Sequence, residues 1–376
     1  MGKTLVEPDW PPLTGEEAGT LLARYDLPGG AAVLRWHSPR PMSAAAVVRS
    51  GGTEVFVKRH HKLVRTPAQL SAEHALADHL RALGVAVPAV LRLPDGGSVA
   101  ASGDYVYEVH ALAPGVDVYR DVLSWEPFLS VQHARAAGAA LARFHRASAS
   151  FGLPERPPAV LTGSCAVITA ADPLAAVGRL AARRPGLAGY LDRRKWREDL
   201  TRYHLPAIRE VAPLFPGLGR LWGHRDWHPS NLTWTSAAPD AGVAAVIDLG
   251  LANRTFAAHD LAVAIERSAV PWLDLAESRR AYPDIPAVDA LLDGYEAVRR
   301  LSRAELAALP LLLPVVHIEY ALSEIEYFSD VVRSHGNADL AYDTYLLGHA
   351  RWFGTAEGRA LLSHLRQRAD RQPAAP

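Results

Sequence analysis

Three ionisable residues alternate in HRDWHPSN, residues 224–231: His224, Asp226 and His228. Asn231 follows the aspartate by five positions. Two kinds of chemistry use such residues. Three ligands aimed at one point suit a zinc-type hydrolase. A carboxylate that takes a proton from a hydroxyl, with metal-binding oxygens beside it, suits phosphoryl transfer. The residues downstream separate the two. LTWTS (232–236) and VAAVID (243–248) read as short strands joined by a turn over 237–242. Paired strands lie about 5 Å apart. Asn231, just before the first strand, and Asp248, at the end of the second, therefore become neighbours at the open end. A carboxylate and an amide oxygen side by side suit a hard cation such as Mg²⁺. Asp226 lies on the loop entering that same end. The zinc reading needs further distant ligands and leaves Asn231 and Asp248 without a role.

Upstream, Lys58 ends the strand-like EVFVKRH (54–60), and Glu73 lies in the next helix-like segment. A strand lysine held by a helix glutamate places an ammonium over nucleotide phosphates. The elements around this pair read as AAVLRWH (31–37), SAAAVVRS (43–50) and EVFVKRH as strands, with Gly51-Gly52 turning between the last two. A short helix precedes them at 14–26, where Thr14 and Glu17 have capping-box spacing. A helix over 66–84 follows, with Thr66 as cap, Pro67 in its first turn and Gly84 at its end. AVPAVLRL (86–93) and DYVYEVHAL (104–112) read as two further strands. The expected unit, residues 1–112, is a five-stranded sheet plus a helix. Backbone groups around His110 and Leu112 would read an adenine edge.

Beyond a break at Pro114-Gly115, residues 113–376 read as mainly helical: 130–149, 189–208, 259–268, 287–301, 314–332 and 339–369. Asp260 is expected to be a helix N-cap, and the tail RQPAAP to be disordered. The fold class is thus α+β and two-lobed, with a small β-rich N-lobe and a larger helical C-lobe. Lysine plus arginine equals aspartate plus glutamate, 40 each, so nothing attracts nucleic acid or an anionic membrane in general. One cysteine, Cys165, excludes an intrachain disulfide and a cysteine-based zinc site, and reads as buried packing. GKT at 2–4 has no upstream strand and glycine, so it is not a phosphate loop. No apolar run is long enough to span a bilayer, and a cytoplasmic protein is expected.

The pieces VFVK, Glu73, HRDWHPSN and VIDLG together resemble the aminoglycoside phosphotransferase and choline kinase-like branch of the protein-kinase-like fold. The resemblance covers about 31–268. It implies that Asp226 is the catalytic base, that Asn231 and Asp248 bind Mg²⁺, that Lys58 binds phosphate, and that ATP or GTP is the nucleotide. His224 would buttress the metal-binding loop. The branch usually has glycine where this chain has Arg225, and phenylalanine where it has Leu249. The loop SPRPMS (38–43) lacks the GxGxxG pattern, so backbone amides near Ser43 are the expected phosphate contact.

For the acceptor, Glu319, Ser323, Glu326 and Asp330 share one helical face, flanked by Glu324. Such an acidic wall would attract a cationic molecule, an amino sugar or an amino alcohol of the homoserine or choline type. Trp227 and His228 sit where an acceptor could meet them, although Trp222, Trp227 and Trp234 read first as packing. The segment after Asp248 is too short to dock a peptide, so the partner is a small hydroxyl-bearing molecule. A fold that binds nucleotide without turnover is the reading from a different class.

Overall fold

The computed structural model describes residues 8–278 and 280–371. GKT and the tail beyond Arg371 lie outside them. The N-terminal lobe is a five-stranded antiparallel sheet of order β1-β2-β3-β5-β4: β1 Val33–His37, β2 Ala44–Ser50, β3 Thr53–His61, β4 Ala100–Ser102 and β5 Tyr105–Ala111. Gly51 and Gly52 both take positive φ in the β2–β3 turn, and at Gly51 a side chain would strike the Pro28 carbonyl. Alternation along β2 and β3 sends Ala46, Val48, Val55 and Val57 into a core that packs under helix α1, Gly15–Leu22. Thr14 caps α1 by accepting from the Glu17 N–H, but the Glu17 carboxylate turns away to Arg59. Helix α2, Pro67–Ala82, carries the full capping box between Thr66 and Gln69.

One strand differs from expectation. Residues 86–93 make only the single bridge Val90↔His110 beside β5, and the fifth strand is β4. Pro88 and Pro94, which lack the N–H that a ladder needs, limit the pairing there.

The helical lobe begins with α3, Val131–Ser148, capped by Ser130. Next come α4 Pro173–Arg183, α5 Pro185–Leu191, α6 Trp196–Tyr203 and α7 Leu205–Val211. The helix expected over 189–208 is therefore broken into turns around Arg193 and His204, with Pro206 opening α7. Two small antiparallel pairs follow, β6 Arg220–Gly223 with β9 Asn253–Phe256, and β7 Leu232–Trp234 with β8 Val243–Val246. The remaining helices are α8 Ala257–Ala269, α9 Trp272–Ser278, α10 Ile285–Glu296, α11 Arg303–Leu312, α12 Ile318–Glu326, α13 His335–Leu340, α14 Leu347–Phe353 and α15 Ala356–Arg371. Gly138 of α3 and Gly294 of α10 lie where a Cβ would meet the partner helix's backbone, so these two helices approach at contact distance. A single continuous apolar core joins α3, α8, α10 and α12. Among the described residues no helix is long and apolar enough to cross a membrane.

Candidate active site

The hairpin does what its register requires. Leu232 pairs with Val246, and the Ile247 N–H donates to the Asn231 carbonyl at 3.0 Å. Asn231 is thus level with Ile247, and Asp248 is the next residue. The Asn231 amide donates from Nδ2 to Asp226 Oδ2 at 2.9 Å and to the Asp226 carbonyl at 2.9 Å. Asp226, Asn231 and Asp248 all line one cleft, together with Lys58.

The loop is fixed from behind. Both oxygens of the buried Asp260 carboxylate accept backbone N–H groups, from His224 and Arg225, each at 2.7 Å. His145 supports the same carboxylate at 3.0 Å. Asp260 lies inside α8, whose cap position is Phe256, so it is not the expected N-cap. His224 accepts the Asp226 N–H at Nδ1 and donates from Nε2 to the Ile247 carbonyl, tying the loop to the far strand. This is the buttress anticipated for it. Arg225 has φ +64, in the left-handed region that favours glycine. Its guanidinium donates to Cys165 Sγ and to the Ser164 carbonyl, which stabilises an otherwise unfavourable backbone. Asp248 has φ +58, a second strained position at the site.

Electrostatics set the charge states. Burial favours the neutral acid at Asp226, but the Arg267 guanidinium, 3.0 Å away, and then His228 hold it well below the usual carboxylate range. Burial acts on Asp248 in the same sense, and the Lys58 ammonium at 3.0 Å overcomes it. Both are therefore carboxylates at neutral pH. An anionic oxygen already facing a cation, with an amide next to it, is a donor set that fits a divalent metal.

Lys58 and Glu73 do not form the expected pair. Glu73 is buried against two guanidiniums, Arg65 at 3.1 Å and Arg156 at 2.9 Å. Both arginines also donate to the Gly250 carbonyl, two residues past Asp248. Glu73 thus steadies, through these arginines, the backbone just past Asp248, and Lys58 turns to Asp248. The reason is competition: two buried guanidiniums outweigh one ammonium for the same carboxylate.

Two chambers meet at these residues. One, about 390 Å³, lies under the sheet and is lined by Ala45, Val47, Phe56, Val87, Leu112 and Leu249. Leu112, just past β5, is among its lining residues. His110 stands opposite Phe56 within the ladder and lines the chamber too, with its imidazole against Glu108. The loop 38–43 reaches across to the helical lobe, where Arg40 donates to Ser124 Oγ and the Val122 carbonyl. Ser43 lines both chambers.

The second chamber, about 350 Å³, holds Asp226 and is walled by Trp125, Arg267, Tyr320, Glu324 and Phe328. Here the acidic-wall expectation fails. Glu319 is buried and accepts the Val167 and Ile168 N–H groups at 2.8 and 3.3 Å. Ser323 accepts the Leu161 N–H at 2.6 Å, and Glu326 is ion-paired with Arg184. That face of α12 holds neighbouring segments in place. The neighbouring face, Tyr320 and Glu324, looks into the chamber. Glu324 Oε2 is buried without a hydrogen-bond partner, and burial pushes its carboxyl up to about 7 against Arg267 and Tyr320. Trp227 is fully buried against Phe144 and His224, so it cannot stack on an acceptor. His228 does line the chamber, 3.5 Å from Asp226. Sequence reasoning missed Arg267 and Arg40. Arg267 is two helical turns, i+7, beyond Asp260 on the same helix, a spacing that could have pointed to it.

Comparison with known proteins follows the same lines. The model of the phosphotransferase enzyme family (APH) matches residues 42–309. The homoserine kinase of Granulibacter bethesdensis is 28% identical over 321 residues, covering 83% of this chain and 86% of that protein. The homoserine kinase of Gluconacetobacter diazotrophicus is 26% identical over 317 residues, covering 81% and 84%. Among solved structures, a microcompartment-associated aminopropanol kinase superposes with a TM-score of 0.57 at 19% identity, covering 92% of this chain and 97% of that one. An aminoglycoside phosphotransferase from Alicyclobacillus acidocaldarius gives 0.53 at 19% identity, covering 96% and 98%. At such identities the solved structures bear on the fold alone, and the fold is the two-lobed kinase-like one.

Proposed function

The chain belongs to the phosphotransferase enzyme family, and on that premise we propose that it moves the γ-phosphoryl group of ATP to the hydroxyl of a small amino alcohol of the homoserine type. The observation that carries the reading is the meeting of two chambers at Lys58, Asn231 and Asp248, with the ionised Asp226 on the acceptor side. The chamber under the sheet, residues of the 1–112 lobe against those of 113–376, takes the nucleotide. Its apolar walls suit a base, and Leu112 lies at the adenine edge.

Asp248 and Asn231 would hold Mg²⁺, which when bound would neutralise charge on the phosphates. Lys58 adds a second cation there. Asp226, oriented by Asn231 and Arg267, accepts the acceptor's hydroxyl proton. The acceptor oxygen forms the new P–O bond, the bond between the γ-phosphorus and the bridging oxygen breaks, and ADP leaves with that electron pair. Asp226 is well below the usual carboxylate range, so its main work is orientation, with proton uptake late in the transfer.

The acceptor chamber supports a small zwitterion over a polycation. It offers one carboxylate, Glu324, with an oxygen free of hydrogen bonds, for an ammonium group, and two guanidiniums, Arg40 and Arg267, in the same lining. A polyamine sugar would face both arginines at a cost. The homoserine kinase relatives point to the same acceptor class. An ADP-release screen with MgATP against homoserine, aminopropanol, choline and aminoglycosides tests this. Homoserine or a close amino alcohol should give the highest kcat/KM. Turnover with aminoglycosides alone, or nucleotide binding without any turnover, would refute it.

A further inference from the structure

We propose that Glu108, rather than Glu73, is the carboxylate that positions Lys58 toward the nucleotide phosphates. This rests on the reading of Lys58 as a phosphate-binding residue.

Strand register gives the first reason. Lys58 on β3 is the direct cross-strand partner of Glu108 on β5. Side chains that face each other in this way project from the same side of a sheet, with Cβ atoms about 5 Å apart. Both residues line the nucleotide chamber. Glu73 sits in the next helix and is already committed. Moving it to Lys58 would leave Arg65 and Arg156 buried without their shared counter-ion, and would loosen their hold on the Gly250 carbonyl.

Glu108 is built to remain an anion in one place. Three imidazole Nε2 atoms surround it, from His60 at 3.0 Å, His74 at 2.8 Å and His110 at 2.9 Å. His74 is in turn fixed through Nδ1 by Ser98 Oγ at 2.9 Å. Burial opposes ionisation of Glu108, yet the imidazoles, His110 foremost, hold it well below the usual carboxylate range.

The consequence is a division of labour. Asp248 now holds the ammonium, but a divalent cation also needs that carboxylate. When Asp248 turns to the cation, Lys58 keeps a fixed anion beside it only because Glu108 is there. Without Glu108, the ammonium competes with the cation for Asp248.

Calorimetric titration of MgATP into the wild-type protein and the variants Lys58→Ala, Glu108→Gln, Glu73→Gln and Lys58→Ala/Glu108→Gln tests this, with apo Tm measured on each. Lys58→Ala and Glu108→Gln should each weaken MgATP about 10-fold or more, and the double variant should be no weaker than either single one. Glu108→Gln should also raise the Mg²⁺ concentration needed for half-saturation. Glu73→Gln should act chiefly on Tm, and its effect on MgATP should add to that of Lys58→Ala. If Glu108→Gln does not fold, Glu108→Asp takes its place: a milder loss, still non-additive with Lys58→Ala, supports the proposal. Wild-type MgATP affinity in folded Glu108→Gln, full additivity with Lys58→Ala, or non-additivity found for Glu73 instead would overturn it. If Lys58→Ala itself binds MgATP normally, the phosphate-binding reading of Lys58 fails and this inference goes with it.

Discussion

The loop segments that carry Asp226 and Asp248, and helix α12, are both crowded with ionisable side chains, yet they use them in opposite ways. On the loop segments, Asp226 and Asp248 face the cleft, and their cations, Arg267 and Lys58, keep them charged. On α12, Glu319 and Glu326 face protein, the first holding two backbone N–H groups and the second paired with Arg184. Only Glu324, on the adjoining face, looks into the chamber that holds Asp226. Spacing tells which side chains share a face. What packs against that face decides whether it becomes a site or a brace.

The sharpest test of the contrast is Asp248→Ala. Losing a cleft-facing acid of the loop should cut kcat by about a thousandfold or more, with the metal requirement lost as well. Glu319→Ala, which removes a buried acid from the brace, should leave the acceptor KM of the folded enzyme close to wild type. A large rise in acceptor KM there would erase the distinction drawn between the two regions.

Glu324→Gln should have the next largest effect, raising the acceptor KM by about 10- to 100-fold through loss of a charge-assisted contact, with the KM for ATP little changed. The pH dependence has a definite sign. Glu324 titrates near 7, so it is neutral and a poor ammonium partner below that pH, and charged above it. Acceptor kcat/KM should therefore rise through about pH 7, and Glu324→Gln should abolish that rise. Asp226 cannot supply this limb, because Arg267 keeps it ionised far into the acid range. A limb near 7 that survives in Glu324→Gln would remove Glu324 from the acceptor site.

Stability gives the smallest effect. Glu319→Ala leaves the Val167 and Ile168 N–H groups without their acceptor, which should cost about 2–5 kcal/mol in unfolding experiments. Glu319→Gln keeps an acceptor oxygen and should lose much less. Equal losses for the two variants would mean that the carboxylate's charge, rather than its acceptance of two N–H groups, holds the 165–168 segment.

The parts legible in the sequence are those set by local geometry. The neighbouring of Asn231 and Asp248 follows from a hairpin whose register is fixed within a few residues, and it appears as the bond from the Ile247 N–H to the Asn231 carbonyl. The cap at Thr66 belongs to the same class of short-range fact. What could not be read is partner choice over long range. Glu73 looked like the mate of Lys58 because nothing local announces that Arg65 and Arg156 converge on it. Arg267 looked like one more charge on a helix, though it meets Asp226 from across the fold. Residues 86–93 had the composition of a strand, but two prolines reduced them to one bridge. Arg225 is instructive in the other direction: its departure from glycine marks a φ of +64 that its own guanidinium helps to stabilise.

The account rests most heavily on Asp226 as the group that orients and deprotonates the acceptor hydroxyl. Asp226→Asn, assayed for ADP release with homoserine while MgATP binding is titrated on the same preparation, tests it directly. Turnover should fall by about 10²–10⁴-fold with nucleotide affinity almost unchanged. Near-normal turnover in that variant, or a loss of MgATP binding that accounts for the whole defect, would contradict it.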